Sequence, residues 1–468
     1  MTPPSGIPAR VRAHHLFPQR GDLRRLGSLG FAVVVVNLGM MLMGVVTTVM
    51  VGHVSAADLA ASALGNLYFV GLALLGWGAL MALDPVVSQA RGADDRAGVA
   101  RAVQRGLVLA AGLSVVTALP FLPARAVIAW LRQPADVVPR AAGYIAVSIP
   151  GILPFFVFVA LRQSLQALGR MRAVVLTILG ANLLNAALGW ALIFGHLGCA
   201  PLGAVGAGLA ATVSRWGMGL GLLAAAWPDL RPLLLPPRRA ALDAGALGSL
   251  LRLGLPIGLQ MQLEYGIFAL VALLMGRLGT VPMAAHQIAI TIASVTFMVP
   301  QGIGGAAAVL VGQAIGAGDA ARARRAAAAA LGAGAGFMFL AGLALAGMPA
   351  LLARLFSDEV PVLAVAAALL PIAGVFQVFD GLQVVAIGIL RGVGDTRTPV
   401  LVNVLGFWLV GLPASLWLGF ARHGGAAGLW WGLVVGLVTV ALALLARVRR
   451  RMRRPLARVA VEGAAAPV

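Results

Sequence analysis

Two acids stand inside runs of apolar residues. Glu264 lies near the middle of GLPIGLQMQLEYGIFALVALLMG (254–276), with Gln260, Gln262 and Tyr265 around it. Asp380 lies in FQVFDGLQVVAIGILRG (376–392). Gln260, Glu264 and Phe268 recur every four residues and share one helix face, and Gln377, Asp380 and Gln383, three apart, make a second polar stripe. A face with an ionisable group, an amide and an aromatic ring suits a cationic ligand. A pair of buried acids can also hold a proton or sodium ion and release it when the surroundings change. Such a charge costs at least about 2.5–3.5 kcal/mol at the centre of a membrane helix, so each acid calls for a reason. The competing reading of Glu264 is a protonated side chain satisfied by a neighbouring helix.

Other polar positions give weaker signals. Asn182 and Asn185 lie one turn apart in one apolar run, and Asn37, Thr47 and Thr48 in another. Buried amides of this kind either face a cavity or bind helices together. Asp84 opens DPVVSQARGADD and reads as an interfacial structural acid near a helix end. Asp358 and Glu359 fall in a loop, where they either draw cations toward a chain of net charge +20 or form a solvated turn. Met40, Met41, Met43, Met261 and Met298 suit an adaptable surface or ordinary packing.

The elements that must hold these residues are membrane helices. Of 468 residues, 60% are hydrophobic and only 11% charged, and apolar runs long enough to cross roughly 30 Å of hydrocarbon recur throughout. Spans are predicted near 28–51, 59–84, 104–123, 142–164, 173–195, 204–226, 253–276, 284–311, 326–347, 362–389, 399–420 and 425–446. The positive charge is all arginine and falls in the connections. Clusters precede the first span (Arg10, Arg12, Arg20, Arg24, Arg25) and follow the second (Arg91, Arg96, Arg101, Arg105). They recur on alternate connections to the tail RVRRRMRRPLAR. Arg125, Arg132 and Arg140, after the third span, break the pattern. The bias places both termini in the cytoplasm and so requires an even number of spans. A lipid bilayer, rather than nucleic acid, is the partner that this charge implies.

The spans fall into two similar halves. VGHVSAADLAASAL (51–64) lines up with MGRLGTVPMAAHQI (275–288), and SQARGADD (88–95) with GQAIGAGD (312–319), both at an offset of 224. LQALGRMR (165–172) matches LRGVGDTR (390–397) at 225. Each half holds six spans, so the halves are parallel and related about the membrane normal, with a central cavity between them. The predicted organisation is a basic cytoplasmic segment (1–25), an N-lobe (26–228), a Pro-rich, then amphipathic surface linker (229–252), a C-lobe (253–447) and a basic tail (448–468). Under the repeat, Glu264 corresponds to Met40 and Asp380 to Phe155, so the ionisable chemistry is confined to one lobe.

Several classes of function find no support. Residues 1–25 lack the apolar core and cleavage site of a secretory signal. Cys199 is the only cysteine, so no intrachain disulfide forms. There is no phosphate-cradling GxxxxGK[ST], no HExxH and no recognisable selectivity-filter loop. An enzyme is not expected, nor any cofactor or metal beyond a transported ion.

Five stretches carry a family resemblance: TTVMVGHVSAADLAASALGN, NLLNAALGWALIFGHLGCAPLGAVGAGLA, GLPIGLQMQLEYGIF, MGRLGTVPMAAHQIAITIASVTFMVPQGIGGAAAVLVGQAIGAGD and GILRGVGDTRTP. Over residues 25–445 the chain resembles the multidrug and toxic compound extrusion (MATE) family, in its NorM-like bacterial branch. That resemblance implies an all-α, V-shaped fold of twelve helices in the bacterial inner membrane. It also implies a secondary antiporter that exports organic cations or amphipathic small molecules in exchange for sodium ions or protons. Glu264 falls where the family has its seventh-helix glutamate and Asp380 where it has its tenth-helix aspartate, the positions tied to the coupling cation. Phe268 and Gln287 match positions near that site, and Asp358 and Glu359 resemble acids near the drug-binding mouth. The chain departs from the family at VTTVM, where Thr47 replaces a first-helix aspartate, and at Gly189, where a third polar residue is common.

The expectation is therefore a monomeric exporter of small molecules coupled through Glu264 and Asp380. Gln260, Tyr265, Phe268, Gln287, Gln377, Asp358, Glu359, Thr47, Asn182 and Asn185 are its cavity candidates. A lipid-linked oligosaccharide exporter is the nearest alternative; it needs arginines in the cavity, whereas the sequence places arginines in loops. A non-transporting membrane protein is the other, and it leaves the paired acids without a purpose.

Overall fold

Polar caps set where several of the helices begin. The computed structural model describes residues 19–131 and 133–459; Arg10, Arg12, Arg132, most of the basic 1–25 segment and the end of the tail lie outside them. The N-terminal half forms α1 (Arg20–Gly52), α2 (Ala56–Gly92), α3 (Arg96–Phe121), α4 (Val137–Ala167), α5 (Arg172–Phe194) and α6 (Gly203–Ala225). The second half forms α7 (Ala244–Leu278), α8 (Thr280–Gly316), α9 (Ala320–Gly347), α10 (Val360–Val393), α11 (Arg397–Ala421) and α12 (Gly425–Arg453). Eleven of these are long and apolar enough to cross a membrane. The glycine-rich α6 joins the short helix Trp227–Leu234 through an 84° bend and completes twelve.

Several helices start before the apolar runs do. Asp95, Asp243 and Asp319 each accept a hydrogen bond from the backbone N–H three residues on, at 2.7, 2.6 and 2.8 Å. These caps satisfy donors that a helix start leaves unpaired. Hence α3, α7 and α9 begin at Arg96, Ala244 and Ala320 rather than near 104, 253 and 326. The last part of the expected 229–252 linker, from Ala244, is helical and forms the opening of α7. Asp95 and Asp319 are repeat mates, and so are Asp94 and Gly318 beside them, which both turn through positive φ (55° and 72°).

The lobes meet at two related joints, α1 against α8 and α2 against α7, and again where the last turns of α2 pack on those of α8. Glycine makes both joints. A Cβ on Gly78 would lie 2.3 Å from the Cα of Gly258, one on Gly258 2.3 Å from the Leu75 carbonyl, and one on Gly254 2.1 Å from the Ala79 carbonyl. At the other joint a Cβ on Gly302 would stand 2.8 Å from the Gly30 carbonyl. Small residues here let membrane helices approach backbone to backbone. Further along, Gln89 Nε2 donates to the Gly392 carbonyl and Gln313 Nε2 to the Ala167 carbonyl, both at 2.9 Å. These are the two glutamines that define the repeat, each reaching a helix end of the opposite lobe. These glycine approaches and cross-lobe hydrogen bonds lie in the half of the helices that leads to the arginine-rich end. Beyond Asn37 and Leu75 the lobes part, which gives the molecule its V shape.

Exposed apolar side chains such as Phe31, Leu183, Phe339 and Leu409 cover the outer faces, as a lipid-facing surface requires. At the arginine-rich end, Asp22 pairs with Arg325 at 3.4 Å, Asp395 with Arg447 at 2.7 Å, Asp95 with Arg458 at 3.6 Å, and Asp229 with Arg170. The Val459 N–H also donates to Gln89 Oε1 at 2.7 Å, so the segment after α12 reaches the N-lobe at Val459. At the opposite end Arg140, an exception to the charge bias, is answered by Asp58 at 2.6 Å.

Gly258→Leu is expected to force the α2–α7 joint apart at a cost of at least about 1–3 kcal/mol. The thermal unfolding midpoint of the solubilised protein should fall clearly; an unchanged midpoint would show that the joint tolerates side chains.

Candidate transport cavity

Where the lobes part, a cavity of about 390 Å³ opens between α1, α2, α4, α7, α8 and α10. Its walls are mostly apolar with a few convergent polar groups, the usual make-up of a small-molecule site. The predicted residues Gln260, Glu264, Tyr265, Phe268 and Asp380 all line it.

Glu264 is held by amides. Gln260 Nε2 donates to it at 2.7 Å from one turn earlier on α7, Gln383 Nε2 at 3.1 Å from α10 and Asn403 Nδ2 at 3.5 Å from α11. Three donors aimed at one carboxylate suit its ionised form. The carbonyl oxygens of Gln383 and Asn403 are buried without a hydrogen-bond donor, leaving hard oxygen ligands next to the acid. Asp380 is buried and close enough to Glu264 for the two to interact electrostatically. No side chain among the described residues donates to it. Phe268 packs edge-on against Phe376, which packs on Trp430, so one wall of the site is aromatic.

The floor, toward the arginine-rich end, holds a second charged group that the sequence reading did not foresee. Arg162 of α4 and Arg391 of α10 line the cavity and are 4% and 8% exposed, which corrects the expectation that arginines keep to loops. Beneath them Asp84 is fully buried. α2 is interrupted at Met81–Ala82, and Asp84 lies in the first turn of the segment that resumes there. It lies 3.5 Å from Arg391 Nε and accepts from Gln163 at 3.3 Å and Gln166 at 3.5 Å. Arg162 Nη2 donates to Asn37 Oδ1 at 2.6 Å, and Asn37 Nδ2 donates across the lobes to Gln301 at 3.0 Å. The sequence signal was present: three polar residues, Arg162, Gln163 and Gln166, end an otherwise apolar span.

The remaining candidates lie elsewhere. Asn182 donates to the Gly39 carbonyl at 2.9 Å and Asn185 to Thr47 Oγ1 at 3.0 Å, so these three join α5 to α1 inside the N-lobe and do not line the cavity. Their spacing placed them on one face, and that face packs on a helix. Gln377 is fully buried and donates to Thr296 Oγ1 of α8. Gln287 and Glu359 are exposed and line a separate hollow of about 350 Å³, and the exposed Asp358 lines neither space.

The sequence pattern of the MatE family matches this chain twice, at residues 32–191 and 256–417. The chain belongs to the MatE family. The two MatE matches begin 224 residues apart, the offset at which the glutamines of the two joints correspond. Among relatives, the chain is 36% identical to the probable multidrug resistance protein NorM of Pseudomonas putida, over 95% of this chain and 98% of that one. It is 35% identical to the multidrug resistance protein PmpM of Pseudomonas aeruginosa, over 93% of this chain and 93% of that one. Its fold is similar to the crystal structure of the eukaryotic MATE transporter AtDTX14, with TM-score 0.82, 23% identity, and 92% and 98% of the two chains covered. That likeness shows the MatE fold: twelve helices, two lobes and a cavity between them.

Removing one member of the floor's ion pair should be costly, because the other is left buried and uncompensated. Arg391→Gln is expected to destabilise the solubilised protein by about 3–5 kcal/mol, and Asp84→Asn combined with Arg391→Gln by much less. Thermal unfolding of both variants decides it, and equal losses would refute the pairing.

Proposed function

We propose that this chain is a secondary active multidrug efflux antiporter that exports organic cations or amphipathic small molecules in exchange for sodium ions or protons. The observation that carries this reading is the pair of carboxylates, Glu264 and Asp380, facing one cavity between two parallel lobes. The names of the NorM and PmpM relatives, as multidrug resistance proteins, support it. Arginine clustering at one end supports a cytoplasmic position for that end and for both termini, in a bacterial inner membrane. The V then opens to the outside, and the glycine joints with the Gln89 and Gln313 bonds close the cytoplasmic side.

In this state Glu264 and Asp380 meet the external solution and take a proton or sodium ion. For sodium, the free carbonyl oxygens of Gln383 and Asn403 complete an oxygen-rich site. An ion that neutralises the acids removes the attraction holding a cationic substrate, which leaves outward. Opening of the cytoplasmic side then returns the ion inward, driven by about 2.3 kcal/mol per charge for each 100 mV. Phe268 and the apolar walls supply adaptable, sequence-unspecific contact for varied amphipathic molecules. Because one chain encloses the cavity, a monomer suffices.

The floor arginines are a feature expected of a lipid-pyrophosphate exporter. Asp84 offsets one of them, and Glu264 with Asp380 in the same cavity would repel a pyrophosphate, so efflux of cations remains the better reading.

Glu264→Gln and Asp380→Asn are each expected to abolish dye efflux from cells, whereas Thr47→Ala, which lies outside the cavity, should stay within about twofold of wild type. Reconstituted liposomes with an imposed sodium or proton gradient then identify the ion. Dye movement independent of both gradients, or wild-type efflux by both acid variants, would overturn the reading.

A further inference from the structure

The floor of the cavity carries more positive charge than its surroundings answer. Arg162 and Arg391 line it and, among the described residues, Asp84 is the one carboxylate in contact with either, so the buried group is left at net +1. The partners of the two guanidinium groups are poor. Arg391 Nη1 meets the Met81 sulfur at 3.5 Å, and Arg162 Nη1 the Met40 sulfur at 3.3 Å. Arg162 has one strong acceptor, Asn37 Oδ1, which is neutral. The Nε of Arg162 is buried without a hydrogen-bond partner, and that of Arg391 has only its ion pair with Asp84 at 3.5 Å. An uncompensated charge with unfilled donors at this depth is unfavourable unless a ligand completes it.

The opposite side of the same cavity bears the opposite charge. Asp380 and Arg391 lie eleven residues apart on α10. At 1.5 Å rise per residue, with the arginine side chain leaning back toward the helix N-terminus, the charged groups stand about 10 Å apart. Between them the wall is apolar: Val384 and Ile387 on α10, Val33 on α1 and Ile257 on α7.

We propose that Arg162 and Arg391 form an anion subsite that binds the carboxylate of a zwitterionic amphipathic substrate whose amine lies at Glu264 and Asp380. This deepens the efflux reading and rests on it: the cavity is bipolar and selects, among amphipathic amines, those with a carboxylate about one apolar ring system away. Guanidinium geometry favours this, since each fork presents paired donors to a planar carboxylate. Asp84 limits the subsite to a single negative charge, because with it in place a dianion would leave the floor net negative.

The test compares a matched pair of ligands on the purified full chain: an amphipathic amino acid with its charges about 10 Å apart, and its methyl ester. Equilibrium affinities for both are measured by calorimetry, in chloride and in gluconate. Wild type should prefer the zwitterion. In Arg162→Gln the zwitterion-to-ester affinity ratio should fall at least about tenfold, since hydrogen bonds to charged groups are lost, and Arg162→Lys should restore part of it. The paired variant Asp84→Asn with Arg391→Gln keeps the floor's net charge at +1 while removing one of the two forks, and should lower the ratio likewise. Because the ratio is taken within each protein, altered stability alone does not move it. An unchanged ratio, or equal weakening of both ligands, overturns the proposal. So does wild-type affinity for the ester that rises in chloride with no preference for the zwitterion, which would assign the floor to a small inorganic anion. If wild type binds neither ligand, the cavity is not the substrate site, and the efflux reading fails with it.

Discussion

A charge at membrane depth has to be answered, and the way it is answered decides what it can do. This protein answers the half-buried Glu264 and the buried Asp84 differently. Glu264 is surrounded by three amide groups, from Gln260, Gln383 and Asn403. Dipoles stabilise the carboxylate without filling the place of a counter-ion. Asp84 has a guanidinium, Arg391, fixed at 3.5 Å. An acid of the first kind remains free to exchange cations, whereas one of the second kind is already matched and serves as structure. The division of labour between the upper cavity and its floor follows from that choice of partner.

The scaffold is symmetric and the chemistry is not. The glycine joints, the capping Asp95 and Asp319, and the cross-lobe glutamines come in pairs related by the repeat. None of the cavity charges does. Met40 stands where the repeat would put the partner of Glu264, and its sulfur lies against Arg162. Arg391 corresponds to Gln166, which bonds the same Asp84 from the other lobe. Duplicated backbone positions thus hold side chains of opposite character. The cavity gains a negative wall from one lobe and part of a positive floor from the other.

Much of this was legible in the sequence. The helices were, because apolar length is read directly, and the repeat was, because the landmarks lie in turns with strict backbone needs. Glu264 and Asp380 stood out since nothing in their own runs explains them. Asp84, Arg162 and Arg391 did not, because each lies near the end of its apolar run, where charge is ordinary. Their burial comes from the break in α2 and from the opposite lobe closing over them, a distance in space that linear position does not encode. Asn182, Asn185, Gln287 and Gln377 mark the converse limit. Periodicity gives the face a residue shares, but not which helix or space that face meets. Early helix starts at Asp95, Asp243 and Asp319 show that a cap outweighs hydropathy.

The two glycine joints have a mechanical consequence. Where backbone rests directly on backbone, as at Gly78 on Gly258 and Gly302 on Gly30, there are few side chains to change rotamer or unlock when the surfaces shift. Each joint behaves as a plain bearing: stiff against compression, with little friction along the helix axes. The lobes can therefore tilt as rigid levers about the place where they press hardest, and the load falls on the hydrogen bonds and ion pairs at the arginine-rich rim.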